Sequence, residues 1–387
     1  MRRSPRMAAV LAIVTALTTA AWGVDKEAPT QVRPVAQPQA LAQAALKAGE
    51  TSMNVACQKD PQFHYDLYVP KGYKSDEPTP LVFVFSPRGR VPLDLYRAAA
   101  DKLGWLVCGS VESQNGLPWP EYGRIFSALL SEMKSRATVH PHRVYCSGMS
   151  GGSRVAMEML RERPDIVTGV IGMAAAFGQD GQTAKVADGA AYVGIVGAQD
   201  YNYSEFVALA EQYFQQKVPY KIIEWKGPHD WAPAALIGQA MEWLDAQYYI
   251  RSPHLTEAEK PRRPKIVAEF LKQTAALGPT MEAYETYESL AGDFKAEADK
   301  NLSKQVADAL AKMKPKLAAE LEAREAFRAA ARESSGPLRD EKSIIALMQR
   351  MKDLATKHAS TFYGKRAETF AGALEFRLQM CRQYWQR

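Results

Sequence analysis

The chain has 387 residues, 47% of them hydrophobic and 24% charged, which is ordinary soluble-protein composition with enough apolar material for a sizeable core and about two domains. Such proportions exclude a disordered, collagen-like or disulfide-dense chain. The formal charge of +6 is spread as three Arg and no acid over residues 1–23, 22 basic against 24 acidic residues over 24–254, and 24 against 19 over 255–387. No basic block with stacking aromatics stands out, so nucleic acid is not the expected partner.

Residues 1–23 read as a secretory signal peptide: Arg2, Arg3 and Arg6 precede an apolar run from Met7 to Leu17, followed by small residues up to Gly23. The run is too short for a retained spanning helix, so the chain is expected to be exported, periplasmic or extracellular, with no stable membrane anchor. Export would place Cys57, Cys108, Cys146 and Cys381 where disulfides are permitted. Cys108 and Cys146 lie in apolar runs and read as buried thiols, which leaves Cys57 and Cys381 as the pair open to bonding.

Residues 24–60 read as an N-terminal extension. Over residues 61–250 short apolar runs alternate with helical stretches. The runs predict strands over Phe63–Val69, Pro80–Ser86, Gly104–Val111, Arg143–Gly148, Val167–Ala174, Ala191–Gly197 and Tyr220–Trp225. Helices are predicted over Pro92–Lys102, Gly123–Arg136, Ser153–Arg163 and Ser204–Gln216. Several runs are too continuously apolar for half-exposed strands and suit a mostly parallel α/β sheet covered by helices on both faces.

Residues 251–264, rich in proline and charge, read as a linker. Residues 265–387 are dominated by Ala, Leu, Glu and Lys and carry apolar stripes at helical spacing, which predicts an all-α region of about four helices. Its role is not legible, although it offers a surface for a protein partner.

Chemistry-bearing residues cluster at three predicted strand ends. Gly148-Met149-Ser150-Gly151-Gly152 follows one strand and opens a helix, the context in which a strained turn pushes a serine hydroxyl out above a sheet. Such a hydroxyl needs a base held by an acid. His229, in the Gly227-Pro228-His229-Asp230-Trp231 turn after a strand, is the suitable base. Asp200 closes the Ala191–Gly197 run through Ala198-Gln199 and is the preferred acid, with Asp180 in reserve.

These three blocks resemble the catalytic blocks of α/β-hydrolases, and in particular secreted esterases of the polyhydroxybutyrate depolymerase, feruloyl esterase and dienelactone hydrolase types. The resemblance covers about residues 60–247. It implies Ser150 as nucleophile, Asp200 as acid and His229 as base of a carboxylic ester hydrolase acting on a small-molecule or polysaccharide-linked ester. The alternatives are a serine peptidase of the same fold and an inactive hydrolase-fold scaffold.

One block departs from that pattern. A His-Gly pair is usual after the third strand, whereas here Ser86-Pro87-Arg88-Gly89-Arg90 follows. Pro87 has no N–H to donate. The expected oxyanion donors are therefore the N–H of Gly151 and that of Arg90 or Gly89. Arg88, Trp119 and Trp231 are candidate substrate contacts, the two tryptophans as an aromatic wall. His140-Pro141-His142 reads as a solvated loop, no metal-ligand cluster is apparent, and no phosphate-cradling or dinucleotide motif calls for a cofactor.

Overall fold

The computed structural model describes residues 45–178, 189–294, 299–334 and 340–385. The proposed signal peptide, residues 24–44 of the extension, Asp180 and the side chain of Cys381 lie outside the described residues.

Eight strands form one sheet: β1 Thr51–Ala56, β2 His64–Tyr68, β3 Thr79–Phe85, β4 Leu106–Ser110, β5 Val139–Met149, β6 Val167–Met173, β7 Ala191–Gly197 and β8 Tyr220–Trp225. Their order is β1-β2-β4-β3-β5-β6-β7-β8. The first two strands pair antiparallel, and the six from β4 to β8 run parallel. All seven residues of β3 are buried, as a central parallel strand requires. Alternate side chains serve opposite faces: Leu81, Phe83 and Phe85 join one apolar cluster, Val82 and Val84 the other.

The helices of this region are α1 Asp94–Leu103, α2 Trp119–Arg136, α3 Gly151–Glu162, α4 Tyr203–Gln216 and α5 Ala234–Arg251. Helices α2, α3 and α4 cover the Phe83 face, while α1 and α5 cover the Val82 face. Two of the elements went unpredicted. β1 falls within the segment read as an extension and has a single buried residue, Val55, so it carries little apolar signal. α5 has buried residues on nearly every side, and an all-round apolar helix shows no amphipathic stripe.

The C-terminal region has six α-helices among the described residues, where the stripes suggested about four: α6 Arg263–Ala276, α7 Met281–Leu290, α8 Lys300–Met313, α9 Ala318–Ser334, α10 Glu341–Lys357 and α11 Phe362–Trp385. Pro315 lies in the 3-10 turn Lys314–Leu317 that separates α8 from α9. These helices share one apolar cluster with the sheet, and Tyr203 of α4 lies 5.9 Å ring-to-ring from Phe370 of α11. Ion pairs accompany the apolar contact: Arg332 with Glu211 at 2.9 Å, Arg366 with Glu224 at 2.6 Å and Lys221 with Glu282 at 2.9 Å. The last two cover β8, the exposed end of the sheet, which would otherwise invite strand pairing with another chain.

Segment 251–264, expected as a linker, is anchored. Glu259 is buried against His140 and Arg143, both at 3.3 Å, and accepts from the Tyr248 hydroxyl at 2.9 Å. His140 therefore does not belong to a solvated loop: it is buried at the start of β5. Arg143 also pairs with Asp245.

The cysteines follow from the strand order. Phe83 of β3 is in register with Cys108 on one side and Cys146 on the other, so the strand between them keeps the two thiols apart. Both are free and buried. Cys57 is also a free, buried thiol, contrary to a bond with Cys381. It packs at the β1–β2 end of the sheet, while α11 docks on α4 near the opposite end. No helix among the described residues is long and apolar enough to cross a membrane.

Candidate active site

β5 ends at Met149 and α3 begins at Gly151, which leaves Ser150 alone to reverse the chain. Its backbone sits at φ 53° and ψ −116°. A non-glycine residue held there costs about 1–3 kcal/mol, sustained only by what surrounds it. The surroundings are visible. Ser150 N–H donates to the Met173 carbonyl at 2.8 Å, and a Cβ on Gly148 would stand 2.3 Å from the Gly152 carbonyl carbon. A Cβ on Gly152 would stand 2.1 Å from the Phe85 carbonyl oxygen, so α3 can start this close to β3 only with glycine at both positions.

Asp200 follows β7 and His229 follows β8, so both stand with Ser150 at the carboxyl ends of the parallel strands. Their loops are tied together by backbone bonds from Ala198 N–H to the Trp225 carbonyl at 2.8 Å and from Gln199 N–H to the Gly227 carbonyl at 3.1 Å. His229 Nε2 lies 2.9 Å from Ser150 Oγ, and Nδ1 lies 3.0 Å from Asp200 Oδ1. Asp200 is fully buried, and its Oδ1 also accepts from the Asn202 N–H at 2.8 Å. The three residues picked from separate strand ends thus form one hydrogen-bonded chain. Chemically it can take a proton from the serine and hold the resulting imidazolium.

Strand order and elbow together decide the architecture. The chain has the α/β-hydrolase fold. No family model and no curated protein matches the sequence. Among solved structures, this chain is similar to a ferulic acid esterase at 13% identity, over 48% of this chain and 93% of that one, with a TM-score of 0.40. It is similar to an S-formylglutathione hydrolase from Staphylococcus aureus at 12% identity, over 52% and 99% of the two chains, TM-score 0.40. It is also similar to Est1E from Butyrivibrio proteoclasticus at 14% identity, over 51% and 99%, TM-score 0.40. At such identities these likenesses say nothing about substrate, and the fold rests on the chain's own strand order and turn.

Gly89, expected as an oxyanion donor, has its N–H engaged elsewhere. Gly89 N–H donates to the Ser113 carbonyl at 3.1 Å, and a Cβ on Gly89 would stand 2.7 Å from the Val111 carbonyl oxygen. Gly89 is therefore committed to the end of β4 and is not an available oxyanion donor. Arg90 is exposed, and its charge acts on Asp66 of β2, on the far side of β4 from the elbow. Gly151 does open α3 beside Ser150, where a helix start presents its N–H. Arg88 is exposed and bridged to Gln114. Trp119 packs with the Phe83-face cluster and Trp231 with the Val82-face cluster.

Tyr201 is an aromatic residue the sequence reading passed over. Its ring stacks on His229 with centroids 4.2 Å apart and planes 23° apart, and its hydroxyl neighbours the Ser150 side chain. Burial, and then the Asp200 charge, push that hydroxyl up to about 12, so it remains a donor at neutral pH. Its position beside Asp200 was the only available signal. Glu205, another acid near this end of the sheet, is taken by Arg154 at 2.7 Å and by the Ala176 N–H at 3.1 Å.

Proposed function

We propose that this protein is a serine hydrolase that cleaves carboxylic esters through an acyl-enzyme. The observation that carries the reading is the chain Ser150 Oγ, His229 Nε2 and Nδ1, Asp200 Oδ1, with links of 2.9 and 3.0 Å, built on a strained serine. In this mechanism Ser150 Oγ adds to the ester carbonyl carbon as its proton passes to His229 Nε2. Asp200 holds Nδ1–H and stabilises the imidazolium that forms. The tetrahedral oxyanion is held by the Gly151 N–H at the start of α3. Its collapse restores the carbonyl, and the departing alkoxide takes the proton from His229. Water, deprotonated by the same imidazole, then releases the acid and frees Ser150.

Export of the chain is part of the proposal and rests on the sequence of residues 1–23. The C-terminal helices contribute contacts to α4 and β8.

The test is hydrolysis of short-acyl p-nitrophenyl esters by the purified protein, together with labelling by a fluorophosphonate probe. Wild type should turn over and label at Ser150. Ser150→Ala should lose nearly all turnover, by about four orders of magnitude or more, and all labelling. A folded Ser150→Ala variant with undiminished activity would overturn the reading.

A further inference from the structure

An oxyanion hole in this mechanism needs more than one donor, and Gly89, one of the residues expected to supply the second, is engaged elsewhere. Around Gly89 the backbone is bonded to another loop. Gly89 N–H donates to the Ser113 carbonyl at 3.1 Å, Asn115 N–H donates to the Pro87 carbonyl at 2.9 Å, and Arg88 and Gln114 form an antiparallel bridge between these bonds. The Tyr122 hydroxyl fastens the same strip by donating to the Gln114 carbonyl at 2.8 Å. Segments 87–89 and 113–115 are thereby zipped together above β3 and β4. The zipper fixes where Asn115 stands.

That place is over the start of α3. A Cβ on Gly151 would lie 1.7 Å from Asn115 Oδ1, 2.8 Å from Cγ and 3.3 Å from Nδ2. The amide of Asn115 therefore rests against the residue that follows Ser150 and whose N–H is the first donor. We propose that the Asn115 side-chain amide is the second oxyanion donor of this site, through Nδ2–H, in place of the Gly89 N–H.

The proposal rests on the ester-hydrolase reading above. Asn115 makes no side-chain hydrogen bond among the described residues, so a half-turn of its amide exchanges Oδ1 for Nδ2 without breaking one. When Ser150 Oγ adds to the carbonyl carbon, the π electron pair moves to the oxygen. The Gly151 N–H and Asn115 Nδ2–H then each donate to that oxygen, with no proton transferred to it. Collapse returns the pair to the carbonyl. The two donors serve only the charge that develops, so their removal should appear in kcat rather than KM. Gly151 is needed for the same arrangement, because any side chain there would occupy the place of the amide.

The experiment compares wild type, Asn115→Ala and Asn115→Asp in steady-state hydrolysis of p-nitrophenyl acetate, with thermal melting to establish folding. Asn115→Ala should lower kcat about 10²- to 10³-fold with KM changed no more than about twofold. Asn115→Asp keeps the shape but offers no donor at neutral pH, and it should fall at least as far. The Ala variant carries the decision, because a carboxylate beside the oxyanion slows the reaction by repulsion whether or not Asn115 donates, whereas a residue that merely packed on Gly151 would leave the kcat of Asn115→Ala within about threefold of wild type. Either variant retaining kcat within about threefold of wild type while folded overturns the proposal. A wild type without Ser150-dependent turnover would instead overturn the ester-hydrolase reading that underlies it.

Discussion

Tyr201 lies ring-to-ring on His229, and that contact bears on how the imidazole is held between Ser150 and Asp200. An aromatic pair of this kind contributes about 0.5–1.5 kcal/mol beyond its buried area. Tyr201→Ala is therefore expected to lower kcat about three- to tenfold with little change in KM, and Tyr201→Phe, which keeps the ring, should restore it. Steady-state kinetics on one p-nitrophenyl ester decides this. A Phe variant as impaired as Ala would move the role from the ring to the hydroxyl beside Ser150. Neither Tyr201 nor Asn115 was legible beforehand, because each acts through a contact made in space. Ser150 and His229 were legible because local sequence announces them: glycines that clear a turn, and a histidine in a turn after an apolar strand. Gly89 misled for the complementary reason. Its N–H is claimed by Ser113, twenty-odd residues along the chain, and nothing local signals that bond.

Between α4, β8 and the helices α9 and α11, buried charges meet. Glu211 of α4, with 3% of its side chain exposed, faces Arg332 at 2.9 Å and Arg328 at 3.9 Å, and the Arg328 guanidinium lies 3.4 Å over the Phe214 ring. Removing one partner of a fully buried pair costs roughly 3–5 kcal/mol. Glu211→Ala should cost about 2 kcal/mol, less than that range, because Glu285 also faces Arg328 at 3.8 Å. Urea unfolding of the whole chain measures it, and an unchanged midpoint would show that these helices add nothing through this contact. β3 and β7 were visible as elements since each is a short unbroken apolar run. α5 was not, since a helix buried all round lacks the periodicity that marks one.

Across the whole molecule, Glu259 joins the base of the sheet to the first turn of the C-terminal helices. Burial alone would raise its carboxyl, but hydrogen bonds from His140, the Thr256 N–H and Tyr248 outweigh burial and hold it down at about 2, against an ordinary 4.5. The folded value lies below the unfolded one, so the stabilisation is fully present above about pH 4.5 and is lost as the pH falls toward 2. Thermal melting from pH 6 to 2 should show a steeper acid loss in wild type than in Glu259→Gln, which starts less stable and has no such carboxyl to protonate. Parallel profiles would contradict this.

The alternation of apolar runs with amphipathic stretches already specified a parallel sheet between helical layers, because burial on both faces demands that pattern. Local turn chemistry likewise placed a serine, an acid and a histidine at strand ends. The distances between them, the zipper that carries Asn115 to Gly151, the stacking of Tyr201 and the docking of α9 and α11 on α4 and β8 depend on which segments meet. Those meetings join residues far apart in the chain, and hydrogen bonds and packing between distant segments leave no periodicity in the sequence to read.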